Sequence, residues 1–133
     1  MAYALPDPHE THPPPRSTVG VLVVDDQAPF LAAARRLIES TPGFASVGEA
    51  TSGEQAVRLA AALRPDLVLM DVRMPGLGGL AAARCITLAR SAAAVVLVSA
   101  DPEEVPPAAA EGCGAVAVMS SGLETARRSY TTR

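Results

Sequence analysis

Short runs of branched apolar residues that break off at an acid or a hydroxyl are the feature that most restricts how this chain can fold. Val19 to Val24 stops at Asp25-Asp26, Leu67 to Met70 stops at Asp71, and Ala93 to Val98 stops at Ser99. These runs are apolar throughout rather than alternating. A strand with one wet face alternates apolar with polar side chains. Runs of this kind therefore belong to strands covered on both faces, as in a parallel sheet flanked by helices.

The intervening segments have helical spacing. Pro29 to about Ser40 carries Phe30, Ala33, Ala34 and Leu37 on one stripe, and Pro42-Gly43 stops it. Phe44 to Ala50 reads as a weaker strand. Ser52 with Gln55 forms a capping box that opens a helix bearing Ala56, Leu59, Ala60 and Leu63. Met74 to Gly79 holds Pro75, Gly76, Gly78 and Gly79 and reads as a loop. Leu80 to Arg90 is the next helix, with Ala82, Cys85, Ile86 and Ala89 at helical spacing. Asp101-Pro102 followed by Glu104 starts another. Pro106 and Pro107 then interrupt it, and an interior proline costs about 3 kcal/mol. Ala115 to Met119 is a fifth strand, and Leu123 to Tyr130 a short last helix. The pattern predicts an α/β fold: a doubly wound, five-stranded parallel sheet in the flavodoxin-like order 2-1-3-4-5, with helices on both faces.

Residues 1–17 carry Pro6, Pro8, Pro13, Pro14 and Pro15 without apolar periodicity, and read as a disordered Pro-rich tail. One domain over 18–130 and a tail at 131–133 account for the rest. His9 and His12 in the first tail have a ligand-like spacing, but a Pro-rich segment offers no rigid support for a metal. The chain has no Trp, two Tyr and two Phe, so its core must be built from Val, Leu, Ala and Ile. A net charge of -3 without a basic stripe argues against direct nucleic-acid binding. All eleven basic residues are Arg; there is no Lys. Cys85 and Cys113, distant in sequence, are expected as reduced core thiols. No signal peptide or membrane span is evident, so a cytoplasmic location is expected.

In an open parallel sheet, sites form outside the carboxyl ends of the strands, where the strand order reverses. Asp25, Asp26, Asp71 and Ser99 all end strands and should meet there. Three carboxylates in one crevice repel each other, so some hold a proton or a cation sits among them. Hard oxygen ligands and incomplete protein coordination suit Mg²⁺. Asp71 could then attack a phosphoryl group as a nucleophile and become an aspartyl phosphate. Each residue also has a plainer reading. Asp26 alone would cap the first helix, Asp71 alone would be a turn residue before Pro75, and Ser99 alone says little.

These segments resemble response-regulator receiver domains of two-component signalling, in particular those of NarL/LuxR-type regulators. Val21-Leu22-Val23-Val24-Asp25-Asp26 is similar to their first strand. Asp66 to Gly76, with Met70-Asp71-Val72-Arg73-Met74-Pro75, is similar to their phosphorylation segment. Val95-Val96-Leu97-Val98-Ser99-Ala100 is similar to their fourth strand, and Gly48-Glu49-Ala50 and Ser52 to Ala56 also fit. The resemblance covers about residues 18–130. It implies that Asp71 accepts a phosphoryl group from a sensor histidine kinase or phosphotransfer protein. It implies that Asp25, Asp26, Asp71 and the backbone carbonyl of Arg73 hold Mg²⁺, and that Ser99 bonds a phosphoryl oxygen. An unknown output protein would read the surface formed by residues 101–130. Dimerisation is left open.

The chain departs from that family in its readout half. Ser121 stands at the position of the family's Lys, Val118 at that of its aromatic switch residue, and Gly78 where an acid or Asn is frequent. A charge-assisted hydrogen bond is worth about 1.5–3 kcal/mol, so loss of the Lys should weaken phosphoryl binding or switching. Altered switching is therefore expected. The chief alternative is a phosphorylation-independent pseudo-receiver that works as an interaction module. A second is a truncated receiver of a helix-turn-helix transcription regulator, because only Tyr130 to Arg133 follow the last expected helix. An Asp-nucleophile hydrolase would need a further general acid and a substrate cap, and neither is evident. Nucleotide binding lacks its phosphate loop. At most, self-catalysed phosphotransfer and dephosphorylation are expected, not turnover of a separate substrate.

Overall fold

The computed structural model describes residues 18–89 and 92–120. They alternate strand and helix: β1 (Val19–Val24), α1 (Ala28–Glu39), β2 (Phe44–Ala50), α2 (Gly53–Leu63), β3 (Leu67–Asp71), α3 (Gly79–Leu88), β4 (Ala94–Ser99), α4 (Pro107–Gly112) and β5 (Ala117–Ser120). All five strands are parallel, in the order β2-β1-β3-β4-β5. The strand order reverses between β1 and β3, as expected of the flavodoxin-like arrangement.

The core explains the unbroken apolar runs. Leu22 and Val24 of β1, Val68 and Met70 of β3, and Val95 and Leu97 of β4 are buried in one cluster with Ala56 and Ala60 of α2 and Ala82, Ala83 and Ile86 of α3. Val21 and Val23 are buried with Leu31 and Ile38 of α1 in another. Successive side chains of β1 thus enter opposite layers. Burying one such Val, Leu or Ile contributes about 1.5–3 kcal/mol, which offsets much of the backbone entropy lost on ordering the strand. The alanines of α2 and α3 let those helices lie close to the sheet without aromatic filler.

Local signals operate largely as the sequence dictates. The Ser52 hydroxyl accepts from the Gln55 backbone N–H at 3.1 Å. The Gln55 side chain accepts in return from the Thr51 N–H at 2.8 Å, one residue before the cap. The stripe expected on α1 is out of phase: Leu31 and Ile38 are buried, whereas Leu37 is 68% exposed. Three further expectations need correction. Pro106 and Pro107 do not break a helix: a three-residue 3-10 turn, Pro102–Glu104, ends before them. Pro106 is then the extended N-cap, and Pro107 the first residue, of the separate helix α4. Proline lacks only an N–H that is unpaired in that position anyway, so the expected penalty is absent. Cys85 is exposed on α3, and only Cys113 is buried. β5 begins at Ala117, two residues later than expected. Residues 1–17, Ser121, the expected helix from Leu123 to Tyr130 and the tail 131–133 lie outside the described residues.

Candidate acidic site at the strand ends

β1 and β3 are hydrogen-bonded neighbours whose chains leave the sheet at the same edge. That register carries Asp25 and Asp26, just past β1, and Asp71, the last residue of β3, to one place. Carboxylate oxygens of all three lie within 4.8 Å of one another. Asp26 is exposed, whereas Asp25 and Asp71 are half-buried.

Backbone amides hold two of these carboxylates. Asp25 accepts from the Gln27 N–H at 2.9 Å, which turns the chain from β1 into α1. Asp71 accepts from the Arg73 N–H at 3.3 Å. Asp71 is thus a turn residue as well as a member of the cluster. The plainer reading of Asp26 is not met. The N-cap of α1 is Gln27, whose helix start has no side-chain cap bond.

The electrostatics show strain of one sign. Burial pushes the Asp71 carboxyl up from 3.8 to about 6, and the charge of Asp25 adds to it. The amides of Arg73 and Val72 only partly counter this. Asp25 is also raised, first by burial, and its proximity to Asp26 adds to that against the Gln27 amide. Mutual repulsion of this kind, which favours protonated carboxyls, is also relieved by a cation. Three clustered carboxylate oxygens suit a hard cation such as Mg²⁺ better than a softer metal.

Ser99 ends β4, next to β3, and is the one buried polar residue among those described, at 3% exposure. Its hydroxyl oxygen accepts from the Asp101 N–H at 3.0 Å, which leaves its proton for another acceptor. Val118 on β5 is half-buried and packs on the main core. Gly78 is the N-cap of α3.

Two features of the site escaped the sequence reading. Gly79 opens α3 directly against the end of β3, where its N–H bonds the Val72 carbonyl at 3.1 Å. The Arg73 guanidinium forms an ion pair with Glu104 on the turn after β4. The glycine-rich loop hinted at the first, but a pair thirty-one residues apart has no local signal. A cleft of about 450 Å³ lies elsewhere, lined by Val57, Ala60, Arg64, Asp66 and Ile86. It contains none of the cluster residues.

Residues 21–126 match the family described as the response regulator receiver domain. The response regulator UvrY of Escherichia coli O6:H1 is 38% identical over 104 residues, 78% of this chain and 48% of that protein. The chain thus spans about half the length of the curated relatives it matches. A LuxR-family two-component response regulator from Aurantimonas sp. SI85-9A1 superimposes with a TM-score of 0.73 at 30% identity, covering 86% of this chain and 84% of that one. CheY6 of R. sphaeroides, in complex with the P1 domain of CheA3, gives a TM-score of 0.65 at 28% identity, covering 85% and 95%.

Proposed function

The chain belongs to the response regulator receiver family of two-component systems, and from that premise we propose that it accepts a phosphoryl group on Asp71 in a Mg²⁺-dependent transfer. The observation that carries this reading is the cluster of Asp25, Asp26 and Asp71 within 4.8 Å at the carboxyl ends of β1 and β3. The donor is a phosphohistidine of a sensor kinase or phosphotransfer protein. The complex of CheY6 with the P1 domain of CheA3 supports a partner of that kind.

In the transfer, an Asp71 carboxylate oxygen attacks phosphorus. The new P–O bond forms as the P–N bond to the histidine breaks, and the nitrogen keeps the electron pair and takes a proton from solvent. Asp71 must be ionised to attack, which its pKa of about 6 permits at neutral pH. Asp25, Asp26, Asp71 and the Arg73 carbonyl would hold Mg²⁺, which supplies the positive charge that lets the carboxylates ionise together and offsets the phosphoryl oxygens. Ser99 would donate its hydroxyl proton to a phosphoryl oxygen.

The change of charge is then read by the surface that begins at residue 101 and binds an output protein. The role is regulatory: the domain acts on its own Asp71. Among the described residues no helix is long and apolar enough to cross a membrane. A cytoplasmic location is part of the proposal.

Beryllofluoride, a phosphoryl mimic, tests this reading. Titration in Mg²⁺ should give saturable amide shifts around Asp71, absent without Mg²⁺ and in Asp71→Asn. Shifts spreading over residues 101–120 mark retained switching. No binding in Mg²⁺ leaves the phosphorylation-independent interaction module.

A further inference from the structure

We infer that Arg73 is an exchangeable counter-charge, resting on Glu104 in the unmodified protein and transferring to the phosphoryl group once Asp71 carries one. This rests on the phosphoacceptor reading above and adds to it a cation and a route of readout.

The cation follows from placement. The cluster itself is wholly acidic. Among the described residues, Arg35 is held by Glu49 across α1 and β2. Arg36, Arg58, Arg64 and Arg84 belong to α1, α2 and α3 or their ends. Arg73 starts at the acceptor, because its own backbone N–H bonds the Asp71 carboxylate. The side chain therefore leaves the backbone beside the reacting oxygen. It nevertheless reaches away, to Glu104.

The exchange follows from charge. Both partners of the Arg73–Glu104 pair are exposed, and exposed pairs of this kind are weak. Glu104 offers one negative charge. A phosphoryl group offers up to two, on oxygens whose spacing suits the planar fork of a guanidinium. The phosphoryl group would form within the reach of a side chain already anchored next to it.

The readout follows from what Glu104 is attached to. The Glu104 N–H bonds the Asp101 carbonyl at 3.0 Å. The Asp101 N–H bonds the Ser99 hydroxyl, and the Asp101 carboxylate accepts from Glu103 at 3.2 Å. Val105, next in line, is buried in the core at 6% exposure. The turn Pro102–Glu104 thus has two ties to the acceptor site, one through Ser99 and one through Arg73. Modification of Asp71 draws on both at once, and α4 follows directly behind the turn.

Beryllofluoride titrations in Mg²⁺, read by amide shifts and by the Arg73 side-chain Nε resonance, test the exchange. The wild type, Arg73→Ala, Glu104→Gln and the double variant are compared. Arg73→Ala should weaken binding by about tenfold, the scale of a charge-assisted hydrogen bond. Glu104→Gln should tighten it by about threefold, because a weak competing pair is removed. In the Arg73→Ala background, Glu104→Gln should change nothing. The Arg73 Nε resonance should move on binding in the wild type. Wild-type binding with Arg73→Ala unchanged, or tightening by Glu104→Gln that survives in the double variant, overturns the exchange alone. Failure of the wild type to bind overturns the phosphoacceptor reading and the exchange with it.

Discussion

Gly79 begins α3 in contact with the carbonyl oxygen of Asp71. A Cβ added at Gly79 would collide with that oxygen and stand 2.8 Å from the Val72 Cα. The helix is set against the end of β3 by an absent side chain, and this fixes the backbone from which the Asp71 carboxylate projects.

Replacing Gly79 with Ala should therefore separate α3 from β3. Forced overpacking of this kind costs about 1–3 kcal/mol, and the atoms that must yield here are backbone. Gly78, its neighbour, is a control. Its φ is -71°, and the nearest atom to an added Cβ is 3.6 Å away. Gly78→Asn should be neutral or stabilising by a few tenths of a kcal/mol, because Asn is a better N-cap than Gly. Urea unfolding of the two variants, with beryllofluoride affinity as a second readout, separates a local packing demand from a general intolerance of the loop.

Much of this architecture was legible because the strands are buried on both faces. Val21, Leu22, Val23 and Val24 must all be apolar when alternate residues enter two cores, and a strand with one wet face would carry polar side chains at every second position. The acids were legible because nothing else ends those runs. Other features depend on a phase or a partner that local sequence does not carry. α3 reads Gly-Leu-Ala-Ala-Ala-Arg-Cys-Ile-Thr-Leu, apolar almost all round, so spacing could not say that Cys85 faces out while Ile86 faces in. Arg73 and Glu104 meet only because β3 and β4 are neighbours. At Pro106-Pro107 one residue of phase separates a helix breaker from a helix start.

That last point has a measurable consequence. If the prolines broke a helix, replacing Pro107 with Ala would stabilise the protein by about 3 kcal/mol. Pro107 instead occupies the first position of α4, where its fixed φ is already correct. Pro107→Ala should cost up to about 1 kcal/mol, because the unfolded chain gains freedom. A clear rise in urea midpoint would contradict the observed start of α4.

Asp71 gives stability a dependence on pH. Its carboxyl is raised from 3.8 to about 6, so between those values the folded protein binds more protons than the unfolded one. Stability then falls as pH rises through that window and stays lower above it. Discounted for the half-exposed setting, the cost is on the order of 1–2 kcal/mol. Asp71→Asn should remove it, and so stabilise the protein at pH 7.5 while changing little at pH 4. Urea midpoints at the two pH values check this, and equal gains at both would assign the effect to something other than charge.

The order of causes at Asp71 makes a finer prediction. Burial is the largest contribution, the charge of Asp25 comes next, and Asp26 contributes less than the countering amide of Arg73. Asp25→Asn should lower the Asp71 pKa measurably, yet leave it above 3.8, because burial is untouched. Asp26→Asn should lower it less. Carboxyl ¹³C shifts followed through a pH titration in metal-free buffer read all three proteins directly. Under the proposed Mg²⁺ site, both variants should also weaken Mg²⁺ binding, since each removes a charged oxygen from the cluster. A larger fall in pKa with Asp26→Asn than with Asp25→Asn would show that the exposed carboxylate, rather than the half-buried one, dominates the field at Asp71.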